Sequence, residues 1–100
     1  MLYKTKLASD SNLLRELSAL GKLSSAQGDL RRAEQHFRLA LSLYESSFPE
    51  NHIEAMVCLL GLVRVLERQN RHDEVRLAQE KIQQLNIRRR TPEHGPSFGI

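Results

Sequence analysis

Residues 20–40 read LGKLSSAQGDLRRAEQHFRLA, two helical patterns parted by a break at Gly28-Asp29. Ahead of the break, Leu13, Leu17, Leu20 and Ser24 fall on one stripe, with Leu14 and Gly21 beside it. That is the spacing of a helix that buries one face. A glycine just past such a stripe stops the helix, because glycine enters the left-handed conformation at little cost. Beyond the break, Leu30, Ala33, Phe37, Ala40, Leu41, Tyr44 and Phe48 recur at helical spacing. Gly21 and Ala33 are small enough to let the two helices approach closely, and Phe37 fills the gap between them.

Working outward, Pro49 ends the second helix, since proline cannot donate to the helical ladder. Asn51 followed by Glu54 resembles a capping box for a third helix over residues 52–69. This helix is apolar nearly all round from Ala55 to Val63, which predicts packing on more than one side. Asn70-Arg71-His72 is the next turn. A fourth helix over residues 73–85 has a thin stripe of Val75, Ala78, Ile82 and Leu85 and a polar outer face, as expected of a terminal cap.

Shifting the chain by 42 residues brings the two halves into agreement. Leu17 meets Leu59, Leu20 meets Leu62, Leu23 meets Val65, Ala33 meets Val75, and Ala40 meets Ile82. Gln27-Gly28 meets Gln69-Asn70, whose last residues both tolerate a left-handed turn. The match fails where Phe37 meets Gln79 and Gly21 meets Val63. The domain expected is residues 11–86, with repeats over 11–50 and 51–86. Residues 1–10 form an N-terminal segment read as the stub of an earlier helix. Residues 87–100 read as a basic, disordered tail with two prolines.

Composition narrows the function. The chain has 100 residues, 5% aromatic residues and no Trp, so its core must come from Leu, Ala, Val and Ile. The single cysteine, Cys58, cannot form an intrachain disulfide, and in an apolar helix it reads as a packing residue. The N-terminus lacks the apolar run of a signal peptide, and the longest apolar stretch, residues 55–63, is too short to span a membrane. A cytoplasmic location is therefore expected. His36, His52, His72 and His94 offer no metal-ligand spacing, and no glycine-rich phosphate loop is present. No catalytic residue, metal or cofactor is expected. The net charge of +3 divides into +2 over residues 1–48, −1 over 49–87 and +2 over 88–100. No basic stripe follows one element, so nucleic acid is not the expected partner; Arg88-Arg89-Arg90 reads as a helix end favoured by the dipole.

Leu20-Gly21, Gly28, Ala33, Phe37 and Ala40 together resemble the tetratricopeptide repeat, with its Leu-Gly in the first helix, Gly at the turn and small-aromatic-small pattern in the second. The separations of seven, five, four and three residues agree. The 42-residue period and Phe48-Pro49-Glu50-Asn51-His52 look like the longer variety of kinesin light chains. The second copy keeps Leu62, Asn70, Val75 and Ile82 but lacks the central Gly and the aromatic. The resemblance implies an all-α fold: two antiparallel helical hairpins stacked as a short right-handed solenoid. It also implies a non-enzymatic protein-interaction module or adaptor that holds a peptide or helix in a groove.

In that family the first helix of each hairpin lines the groove. The implied groove residues are Arg15, Ser18, Lys22 and Ser25 in the first copy, and Val57, Leu60, Arg64 and Glu67 in the second. Lys22 and Arg64 share one place in the frame, which would suit an acidic segment or a terminal carboxylate. The Asn residues of the family's carboxylate clamp are absent. Val57 and Leu60 favour an apolar partner helix or a second copy. Two alternatives stand beside this reading. One is a self-associating structural domain with the third helix buried between chains. The other is a regulatory piece of a larger signalling or transcription protein.

Overall fold

The computed structural model describes residues 2–98, with side chains described for residues 12–87. Among the described residues there are four helices, α1 (Leu2–Ala26), α2 (Leu30–Ser47), α3 (His52–Arg68) and α4 (His72–Phe98). Consecutive helices pack as antiparallel hairpins, and α1 also packs on α3. α1 starts at Leu2 and not near Ser11, because neither Gly nor Pro precedes Gly21 to interrupt it. α4 passes its expected end at Leu85 and runs on to Phe98, through Pro92 and Pro96. The side chains of the expected N-terminal segment, residues 1–10, and those of the expected tail, residues 87–100, apart from Ile87, lie outside the described residues.

The two hairpin turns are built alike. Gly28 has φ +83° and Asn70 has φ +60°, both left-handed. At the first turn, the Gly28 N–H donates to the Ser25 carbonyl and the Asp29 N–H to the Ser24 carbonyl, at 3.0 and 2.9 Å. At the second, the Asn70 N–H donates to Glu67 and the Arg71 N–H to Leu66, both at 3.0 Å. These are matching Schellman closures, each satisfying carbonyls that a helix end leaves free. The helices that follow start differently. The Asp29 carboxylate accepts from the Arg32 N–H at 3.2 Å and caps α2. The expected capping box at α3 does not form, because Asn51 makes no side-chain cap bond. There the first turn is held instead by the Tyr44 hydroxyl, 3.0 Å from His52 Nδ1.

The core is the contiguous set Leu14, Ala33, Phe37, Ala40, Tyr44, Ala55, Cys58, Leu59, Leu62, Val63, Val65, Leu66, Val75, Ala78 and Leu85. Phe37 is its pivot. A Cβ built on Gly21 would lie 2.6 Å from Phe37 Cε1, and one built on Gly61 would collide with Phe37 Cζ. The ring is therefore seated between α1 and α3, in a slot open only because both facing residues are glycine. α1 turns to fit this slot. Leu14, Ser18, Gly21 and Ser24 are buried, whereas Leu13, Leu20 and Leu23 are exposed. The expected core role of Leu20 is thus corrected: it retains 43% exposure, because the close approach at Phe37 admits only small residues on the buried face. The girth of α3 is covered as expected, by the other three helices of the same chain.

α2 and α4 are joined by charge. Arg71 Nη1 donates to Glu34 Oε1 at 2.6 Å, and its Nη2 and Nε reach Glu74 at 2.8 and 2.9 Å. Arg38 bridges the same two carboxylates, Glu34 at 2.8 Å and Glu74 at 2.9 Å. Lys81 lies 3.4 Å from Glu45. The Arg71 hydrogen bond holds the Glu34 carboxyl below its ordinary pKa against the opposing effect of burial, with Arg38 adding to it.

Two outcomes are expected. Phe37→Ala should destabilise the chain by about 3–5 kcal/mol in urea unfolding, the usual cost of emptying a buried aromatic site. Gly21→Ala should cost about 1–3 kcal/mol by overpacking, and combining it with Phe37→Leu should cost less than the sum of the two single changes. Because the Glu34 pKa is lowered on folding, its stabilisation is complete above the ordinary carboxylate range. It is lost as the pH falls through the lowered value. Arg71→Gln should therefore flatten the acid limb of a stability profile measured by urea unfolding across that range.

Candidate functional site

α1 and α3 lie side by side and run in the same direction. Two contacts fix their register. Ser18 of α1 lies close enough to the Cys58 thiol of α3 to act on it, and Arg68 Nη1 donates to the Ser25 carbonyl at 3.3 Å. Lys22 falls between Ser18 and Ser25, and Arg64 between Cys58 and Arg68, so the two cations stand at the same level on adjacent helices. Lys22 is close enough to act electrostatically on the Cys58 thiol. Lys22, Arg64 and Arg15 are all exposed. Among the described residues none of the three takes part in an ion pair.

The apolar part of this face belongs to α3. Ile53, Val57 and Leu60 precede Arg64 at helical intervals of four, three and four residues, which places all four on one stripe. Ile53 is 68% exposed and Leu60 51%, with Val57 half-buried. Glu67 is exposed at the flank. The face thus offers an aliphatic strip on one helix beside a cluster of cations across both.

Among the residues expected here, Arg15, Lys22, Leu60, Arg64 and Glu67 reach solvent, while Val57 and Ser25 are half-buried. Ser18 is not on the open face. It is 3% exposed and packs between α1 and α3 against Cys58. The helices are too close there for a residue to project. Ile53 belongs to the strip although the sequence reading passed over it. Its signal was its place four residues before Val57, hidden by its position in the first turn of α3.

A family model described as Tetratricopeptide repeat matches residues 12–88. The chain belongs to the tetratricopeptide repeat family. Neither the curated proteins nor the solved structures searched give a match. Membership marks this tetratricopeptide repeat chain as a protein-interaction module. Its Leu20-Gly21, Gly28, Ala33, Phe37 and Ala40 are the family's pattern; Gly61, the second wall of the Phe37 slot, lies outside that pattern.

Among the described residues no group of three His, Cys, Asp or Glu is placed to hold a metal ion. Among them too, no helix is long and apolar enough to cross a membrane. Cys58 is fully buried, and burial pushes its thiol pKa up despite the opposing effect of Ser18. A protonated, enclosed thiol is a poor nucleophile. Cys58 should accordingly resist an aromatic disulfide reagent in the native protein and react fully in strong denaturant. Rapid stoichiometric labelling under native conditions would contradict the packing described.

Proposed function

We propose that the α1–α3 face binds a segment of another protein whose aliphatic side chains meet Ile53, Val57 and Leu60 and whose carboxylates meet Lys22 and Arg64. The observation that carries this reading is the juxtaposition of an exposed aliphatic strip with cations that, among the described residues, take part in no ion pair. Each half alone is common on protein surfaces. Side by side at one level of two rigid helices, they specify an amphipathic acidic ligand. Apolar contact supplies the affinity, and the cations select the partner and speed its encounter. Arg15 extends the positive end along α1. Binding is docking onto pre-formed helices, without bond chemistry, at a site suited to the cytoplasm. The self-associating alternative is less well supported, because α3 is already enclosed by its own chain and only this strip remains open.

The test uses fluorescein-labelled peptides that alternate leucine or isoleucine with aspartate or glutamate, against isomers carrying lysine in the acidic places. Anisotropy should show preference for the acidic set. Lys22→Glu with Arg64→Glu should weaken that binding by at least about tenfold while leaving helical circular dichroism and melting unchanged. Leu60→Ser should weaken it independently. Equal retention of both peptide sets, or binding untouched by the double charge reversal, would sink the reading.

A further inference from the structure

α1 carries an open stripe on a different side from Arg15 and Lys22. Leu13, Glu16, Leu20 and Leu23 are spaced by three, four and three residues and so share one side of the helix. All four are exposed, and among the described residues Glu16 takes part in no ion pair. The residues three and four places from it, Asn12, Leu13, Ala19 and Leu20, offer no cation. An acidic aliphatic segment, the chemistry of the ligand proposed above for the α1–α3 face, is thus present on the chain itself.

The match extends to spacing. From Glu16 the α1 stripe reaches Leu20 after four residues and Leu23 after three more. From Arg64, read backwards, the α3 strip reaches Leu60 after four residues and Val57 after three more. Laid antiparallel, the two helices bring Glu16 to Arg64, Leu20 to Leu60 and Leu23 to Val57 in a single register. Lys22 of the receiving copy stands level with Arg64, so the incoming carboxylate meets two cations. A parallel alignment that pairs Glu16 with Arg64 sets Leu20 against the exposed Arg68 instead.

The cover that α3 receives from the hairpin before it does not suit α1. Where α3 has the fully buried Cys58 and the Gly61 that admits Phe37, the 42-residue shift gives α1 Glu16 and Ala19. A hairpin stacked ahead in the same manner, aromatic wedge included, would enclose a carboxylate and press its ring on a methyl. α1 also runs unbroken through residues 6–9, where the repeat frame has the turn of residues 48–51.

We propose that copies of this chain associate head to tail, the Glu16–Leu20–Leu23 stripe of one docking antiparallel on the Val57–Leu60–Arg64 strip of the next. The leucines supply the apolar contact, and the Glu16–Arg64 pair fixes direction and register. The contact rests on the same open strip as the peptide site proposed above, needs no more of α3 than that strip, and competes with the acidic ligand. On α1 the places equivalent to Val57, Leu60 and Arg64 are Arg15, Ser18 and Lys22, so stripe and strip face different ways. Each copy therefore keeps one half of the contact free, and the assembly grows instead of closing as a two-fold dimer.

Sedimentation equilibrium of the whole chain between about 10 μM and 1 mM should show a mass that rises with concentration without stopping at a dimer. Glu16→Arg alone and Arg64→Glu alone should each leave a monomer with unchanged helical circular dichroism, since both positions are exposed. An equimolar mixture of the two variants, or one chain carrying both changes, should associate again, because opposite charges then meet at the contact. In dilute solution Glu16→Arg should bind the acidic peptides as the parent chain does, so failure of the peptide site and failure of self-association read out separately. A monomer throughout, which leaves the stripe to a preceding hairpin or to a different protein, would overturn the proposal. So would association that survives either single change, or a mixture that stays monomeric.

Discussion

The structure depends on one ring in a slot two glycines wide. Phe37 leaves α2 and enters between Gly21 of α1 and Gly61 of α3, with no room for a methyl on either side. The contact ties the first hairpin to the second, so the two repeats are not separable units. It also draws α1 and α3 close enough for Ser18 to meet the Cys58 thiol and for Arg68 to reach the Ser25 carbonyl. That register brings Lys22 level with Arg64. The charge pattern of the α1–α3 face is thus a consequence of core packing three helices deep.

Packing this close governs composition. Where α1 touches its neighbours, the buried positions include Ser18, Gly21 and Ser24, and leucine is displaced to the outside. Large side chains at those points would separate the helices and remove the dispersion contacts that make up the interior. The exposed leucines of α1 follow from the same constraint as the buried glycines. A helix turned to admit Phe37 on one side must show its larger apolar residues on another.

Much of this was legible in the sequence. Four helices, both left-handed turns and the central place of Phe37 follow from stripe spacing and from the positions of Gly28 and Asn70. Gly61 was harder to read, since a lone glycine in an apolar run gives no sign of the ring that will lie on it. The side of α1 that is buried was misjudged for a physical reason. Hydrophobic periodicity assigns leucine to the core, whereas contact distance here assigns it to serine and glycine. Ser18 was placed in the groove by position and lies instead in the seam. Ile53 shows the converse, an exposed aliphatic residue in a first helical turn that periodicity alone treats as an end. The lateral ion pairs of Arg71 and Arg38 were not foreseeable, because they join residues 36 and 37 apart through the stacking of the repeats.

The two ends of the chain are held by different forces. α1, α2 and α3 are locked by the aromatic wedge. α4 packs on α3 through Val75, Ala78, Ile82 and Leu85, and its Glu74 and Lys81 pair with Arg38 and Glu45 of α2 across a cleft of about 320 Å³. Ionic fastenings weaken with added salt, whereas the wedge does not. Added salt therefore acts on the α2–α4 fastening and leaves the aromatic wedge of α1, α2 and α3 untouched.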